Sequence, residues 1–219
     1  MRYSIRDRDL PGMSALVARV HKIAQGAALM TETSVEMKII SAVSNVLDNT
    51  PLEQTLHRIM QELGPPHFDE ADKEFAAKIR ATLTDKDIAS VYHSIGMDPT
   101  DRPLADFIVP LDAKRNPQIG STDVGDVSWV VPTVQVHAPT VAIGTPFHTW
   151  QVVAQGKSPH AHKAMVQAAK AMAGLGIKAL TEPELIKAAK ADLQKRTTKT
   201  PYVCPLPDHV APPLNMSVA

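Results

Sequence analysis

Residues 120–158 read GSTDVGDVSWVVPTVQVHAPTVAIGTPFHTWQVVAQGKS. Val130 and Val131, and then Val141 to Ile143, are short apolar runs of the kind that form buried strands, and Gly144 and Pro146 mark a turn after the second. Between and beside these runs lie Asp123, Asp126, His137 and His148, whose side chains can all bind a metal ion or handle a proton. Apolar elements flanking a polar loop suit a functional site, because side chains on rigid backbone keep their geometry. Spacing adds nothing sharper. The chain has no HExxH, CxxC pair, phosphate-binding glycine loop or GxSxG.

Composition narrows the range of functions around this stretch. The 219 residues are enough for one or two domains with a real core. Lys plus Arg equals Asp plus Glu at 23 each, so no net field draws nucleic acid or an anionic membrane, and neither is expected as a partner. The single cysteine, Cys204, excludes an internal disulfide and a cysteine-built zinc site, which fits a reducing cytoplasm. The opening MRYSIRDRDLPG is charged where a signal peptide needs its apolar segment, and no run approaches the roughly 18 apolar residues of a membrane span.

Upstream of the quoted stretch, Tyr3 and Ile5 alternate with polar residues, as do Val35, Met37 and Ile39, and both patterns predict strands. Between them a helix is expected, starting near Pro11, with Met13, Leu16, Val17, Val20, Ile23 and Ala24 on one face and Gly26 at its end. Thr50, Pro51 and Glu53 supply a cap, a first-turn proline and a capping-box acid for a helix over Leu52 to Leu63. Asp69 caps another, with Phe75, Ile79 and Leu83 inward, and Asp87 to Tyr92 suit one short helical turn. Phe107 to Leu111 reads as a further apolar strand.

Downstream, Ser158 and Pro159 start a helix that Gly174 and Gly176 are expected to close, and Thr181, Pro183 and Glu184 start a last one. Prolines from Pro201 onward exclude regular helix or central strand in the tail. His160 and His162 read as first-turn residues facing solvent, and His137, in an apolar run, reads as a hydrogen-bonded core histidine. Asp123 suits a helix N-cap, which Asp126 would complete.

The wording of the GSTD turn running into DVGDVSW, the strand ending in Pro, and Gly144, Pro146 and PFHTWQ resembles the C-terminal part of the dinuclear metal amidohydrolases that include aminoacylase and glutamate carboxypeptidase. With IAQGAALMTET and LDAKRNPQ, the wording is nearest to the family's folate-breakdown members, which split p-aminobenzoyl-glutamate. The fold this implies is α/β, the C-terminal part of a two-domain metallopeptidase-like fold. Residues 1–47 are expected to be the second half of an α+β lid, 48–200 the C-terminal part of an α/β catalytic domain, and 201–219 a Pro-rich tail.

The resemblance also implies roles. His148 matches the family's last metal-binding histidine, for a site that holds two divalent ions, zinc or manganese, when complete. Thr122 and Asp123 match a pair that lies beside the active site, behind the ligands. Arg6 matches a lid-strand arginine that grips the glutamate carboxylate, where a planar guanidinium can bond both oxygens, although Asp7 and Asp9 offer it ordinary surface pairing. The other ligands and the general-base Glu would lie in an N-terminal half outside this sequence, so no catalytic residue is assigned here. The expected partners are a small-molecule substrate and, through the lid, a second copy or a companion A subunit. Hydrolysis of another N-acyl amino acid or dipeptide, or a non-catalytic interaction module, are the alternatives.

Overall fold

The computed structural model describes residues 1–113, 120, 122–211 and 214. It contains eight helices among the described residues: α1 (Leu10–Met30), α2 (Thr50–Leu63), α3 (Glu70–Arg80), α4 (Asp85–Ile95), α5 (Val124–Val130), α6 (Trp150–Gln155), α7 (Pro159–Thr181) and α8 (Pro183–Thr197). No described residue is in a strand, so the α/β expectation is overturned in favour of an all-helical architecture.

The strand forecasts fail for an identifiable reason. Alternation says which face a strand would present, but a ladder also needs a neighbouring backbone to bond. The segment after Ile39 gives its backbone groups to side chains on α5 instead. Ser44 N donates to Asp126 Oδ2 at 3.2 Å, Leu47 N donates to Ser128 Oγ at 2.8 Å, and Asn45 O accepts from Trp129 Nε1 at 2.8 Å. Val130, forecast as strand, closes α5. In the second apolar run, Ala142 N bonds the Gln155 side chain and Ile143 N bonds Pro103 O, two single contacts and no ladder.

The chain divides into two compact units. The first comprises Met1–Asp48, Ile119–Thr133 and Leu193–Ala219. Here Asp9 caps α1, accepting from Gly12 N at 2.8 Å with Pro11 in the first turn, and the helix runs past Gly26 to Met30. Asp126 gathers three donors: Ser44 N, Ser44 Oγ at 2.7 Å and the Tyr202 hydroxyl at 2.9 Å. Burial raises the Tyr202 phenol above its ordinary range, and the bond to Asp126 adds to this, so it stays a donor. Trp129 is buried at 7% exposure with the Tyr202 ring 6.2 Å away, so the proline-rich tail is tied to α5 at this point.

The second unit comprises Asn49–Gln118 and Val134–Asp192. Asn49, one residue before the forecast cap, caps α2 with its side-chain oxygen and donates through Nδ2 to Ala189 O at 2.9 Å. Reciprocal capping boxes open α3 (Asp69 with Asp72) and α4 (Thr84 with Asp87). Helices α2 and α7 pack through Leu56, Ile59 and Ala171, and full burial of Leu56 or Ile59 contributes about 2 kcal/mol each. A second cluster joins Phe68, Ala76, Ile79, Leu104, Ala142 and Ala164.

Helix α7 does not stop at Gly174. A Cβ there would press on the Ile59 side chain, so the glycine serves the close approach of α2 to α7 and not a helix end. Packing of an apolar face outweighs the roughly 1 kcal/mol that glycine costs within a helix. No helix among the described residues is long and apolar enough to cross a membrane.

Candidate functional site

His148 sits at the end of a turn in the second unit, exposed, with φ 63. This left-handed conformation is uncommon for a non-glycine residue, although histidine tolerates it better than most. Its neighbours are also turned outward: Phe147 is 76% exposed and Trp150, opening α6, is 59% exposed. Behind them the turn is buried and bonded. Thr145 Oγ1 donates to Ala142 O at 2.7 Å, Thr149 Oγ1 donates to Pro146 O at 2.8 Å, and Gly144 adopts φ 98 where a Cβ would press on Ile88. The result is an imidazole presented to solvent on a well-supported backbone.

Gln155 supplies much of that support and carries no signal in the sequence. Its side chain is fully buried at the end of α6. It accepts from Ala142 N at 2.7 Å and donates to Thr145 Oγ1 at 3.2 Å and to Gln151 O at 3.0 Å. A glutamine among WQVVAQG reads as an ordinary polar helix residue, and only the folded turn shows what it bonds.

The remaining expected site residues lie in the first unit. Thr122 is half-buried and Asp123 exposed. Asp123 stands at the N-cap of α5 but its side chain makes no capping bond. The Thr122 hydroxyl takes that part, accepting from Val124 N at 3.3 Å and lying 3.4 Å from Asp123 Oδ1. Arg6 is exposed. The two carboxylates that could have paired with it bond backbone instead, Asp7 to Arg8 N at 2.6 Å and Asp9 to Gly12 N at 2.8 Å.

Two histidines depart from expectation. His137 is exposed, because the run that carries it is not a buried strand. His160 is fully buried in the second unit, where its Nε2 lies 3.1 Å from Ser158 Oγ and its ring centroid lies 6.4 Å from that of Phe68 and 5.8 Å from that of Phe75. Three residues on, Lys163 reaches the buried Asp72, and Asp69 at 2.7 Å; bonds to these two carboxylates hold its ammonium above the usual range. A first-turn position reads as solvent-facing because the packing of Phe75 on α3 against it is a tertiary contact that local sequence does not show.

Burial holds the His160 ring below the ordinary histidine range, the nearby Asp72 carboxylate opposing without outweighing it. The sign of the linkage follows. The folded protein holds this ring neutral to lower pH than the unfolded chain, which protonates it near the ordinary value of 6.5, so its contribution is complete above that pH and is lost as pH falls through the lowered folded value. One such group contributes a slope of at most about 1.4 kcal/mol per pH unit. In urea unfolding between pH 7 and pH 5, His160→Phe is expected to lose less stability than the parent chain. Parallel pH profiles for the two would show that this ring carries no linkage.

Among the described residues no three His, Cys, Asp or Glu side chains group closely enough to hold a metal ion. His148 offers one imidazole donor. The described residues therefore do not by themselves fit the two-ion site that the resemblance implied.

One comparison identifies a relative of known name. The chain is 37% identical over 221 aligned positions to the B subunit of p-aminobenzoyl-glutamate hydrolase from Escherichia coli (strain K12), with 96% of this chain aligned. This chain resembles the C-terminal portion of that protein. It spans about half, 46%, of the relative's length. No protein-family model matches the sequence, and no solved structure matches it.

Proposed function

We propose that this chain forms the C-terminal part of a metal-dependent amidohydrolase that cleaves p-aminobenzoyl-glutamate to p-aminobenzoate and glutamate in the cytoplasm. The observation that carries the reading is the 37% identity maintained over 96% of the chain to a relative named for that hydrolysis. The presentation of His148 supports it: an exposed imidazole on a buried, hydrogen-bonded turn is available to contribute to a site completed by other polypeptide. Two divalent ions, zinc or manganese, belong to this proposal as the group that activates water in such enzymes. Thr122 and Asp123 are proposed to act behind its ligands, and Arg6 to grip the substrate carboxylate. The relative's name makes it one of at least two kinds of chain in its hydrolase, and we propose a companion A subunit, or a second copy, as the partner.

The test is to join the chain to the N-terminal portion of the relative and measure p-aminobenzoate release, alongside a panel of other N-acyl amino acids and dipeptides. Turnover is expected in the joined protein, with none in the 219-residue chain alone. A preference for another acyl group would move the reading to the alternative hydrolase, and inactivity of the joined protein on the whole panel would favour a binding module. Within that assay Arg6→Ala is expected to raise KM for p-aminobenzoyl-glutamate by about 10- to 100-fold. A charge-assisted bond to a carboxylate is worth about 1.5–3 kcal/mol. Because Arg6 is exposed and makes no salt bridge among the described residues, the melting temperature should hold. An unchanged KM would leave Arg6 a surface residue.

A further inference from the structure

We infer that Gln155 is a positioning residue for His148, holding the turn in the one conformation that presents the imidazole; the inference rests on the proposed part of His148 in amide hydrolysis. Gln155 is fully buried and cannot meet a substrate. Every polar atom of its amide is nonetheless used. The oxygen accepts from Ala142 N at 2.7 Å, and the nitrogen donates to Thr145 Oγ1 at 3.2 Å and to Gln151 O at 3.0 Å. Thr145 Oγ1 then donates to Ala142 O at 2.7 Å, which closes a ring of bonds over the first four residues of the turn.

An amide is the group that this ring requires, because it accepts on one atom and donates twice on another. A carboxylate lacks both donors, and a thioether of similar length lacks all three strong bonds. Gln155 ends α6, and Trp150, which starts that helix, is two residues after His148. One side chain thus ties Ala142 and Thr145, on the approach to His148, to the helix that leaves it. Between them Gly144 at φ 98 and His148 at φ 63 hold conformations that a free chain seldom populates. Buried hydrogen bonds that over-determine the turn are what keep them there.

Two measurements test this. In the 219-residue chain, Gln155→Met is expected to speed hydrogen exchange of the bonded amides of Ala142, Ile143 and Thr145 by about tenfold or more while the amides of α2 keep their rates. In the joined protein it is expected to lower kcat by about tenfold or more with little change in KM, the scale seen when support behind a reacting group is removed. Leu56→Ala, a core change in the contact between α2 and α7, serves as the control for instability alone and should retain kcat in the folded fraction. Unchanged exchange at Ala142, Ile143 and Thr145, or a kcat loss that Leu56→Ala reproduces at the same loss of melting temperature, overturns the positioning role. Full activity of His148→Ala overturns the reading of His148 itself, whereas an inactive His148→Ala beside a fully active Gln155→Met overturns only the inference about Gln155.

Discussion

Replacing His148 with glycine is expected to make the chain more stable by about 1 kcal/mol and the joined enzyme less active by more than about 100-fold. The stability arm follows from the backbone. At φ 63 the Cβ of an L-residue crowds its own carbonyl at a cost of about 1 kcal/mol, and glycine adopts the same conformation without it. The exposed imidazole forfeits little packing when removed. The activity arm follows from the proposed role, since even the groups that support a metal ligand cost about 10- to 100-fold when lost, and the ligand itself should cost more. Opposite signs for stability and activity mark a residue kept for function in spite of strain. Urea unfolding of the chain and p-aminobenzoate release by the joined protein give the two readings. A loss of stability in His148→Gly would show that the turn is not strained, and retained turnover would remove His148 from the proposed site.

Gly125→Ala is expected to destabilise the first unit by about 3 kcal/mol, the upper end of ordinary overpacking costs. A Cβ at this position would overlap the Ser44 carbonyl, and the obstacle is backbone, which cannot swing aside as a side-chain end does. Relief requires moving the 44–47 segment away from α5, which stretches the bonds from Ser44 to Asp126 and from Leu47 to Ser128 and the bond between Asn45 O and the Trp129 ring. Tyr202, bonded to the same Asp126, loses its anchor with them. Trp129 is buried and Trp150 exposed, so a Trp150→Phe background isolates the emission of Trp129. In that background Gly125→Ala should shift the emission to the red and lower the urea midpoint. Unchanged emission and midpoint would mean that the segment yields freely and that α5 does not fix it.

Where the decisive partner is a near neighbour in sequence, the helix was legible. Asp69 caps α3 and Ser158 with Pro159 opens α7, as their side chains and spacing indicate. These features act within one turn, so the residues that decide them lie within three or four positions. The same locality explains the one-residue error at α2, where Thr50 and Asn49 are both good caps and the bond from Asn49 to distant Ala189 goes with the choice. The resemblance singled out His148 by wording, and the structure adds its exposure and its left-handed backbone.

Interactions over long sequence separations were not legible. Alternation in Val35, Met37 and Ile39 cannot show whether another strand is available to pair, and among the described residues none is. Gly174 reads as a helix stop until Ile59 is seen against it, and His160 reads as solvent-facing until Phe68 and Phe75 are placed beside it. By itself the sequence determined where most helices begin, the equal balance of charge and the wording around His148, because each is a property of residues that are adjacent or simply counted. Only the tertiary structure decided that the extended segments among the described residues stay unpaired, that Asp126 and Gln155 become hubs, and which histidine is buried. Each of those depends on which distant backbone group or ring arrives within hydrogen-bonding or packing distance, and local periodicity carries no record of that.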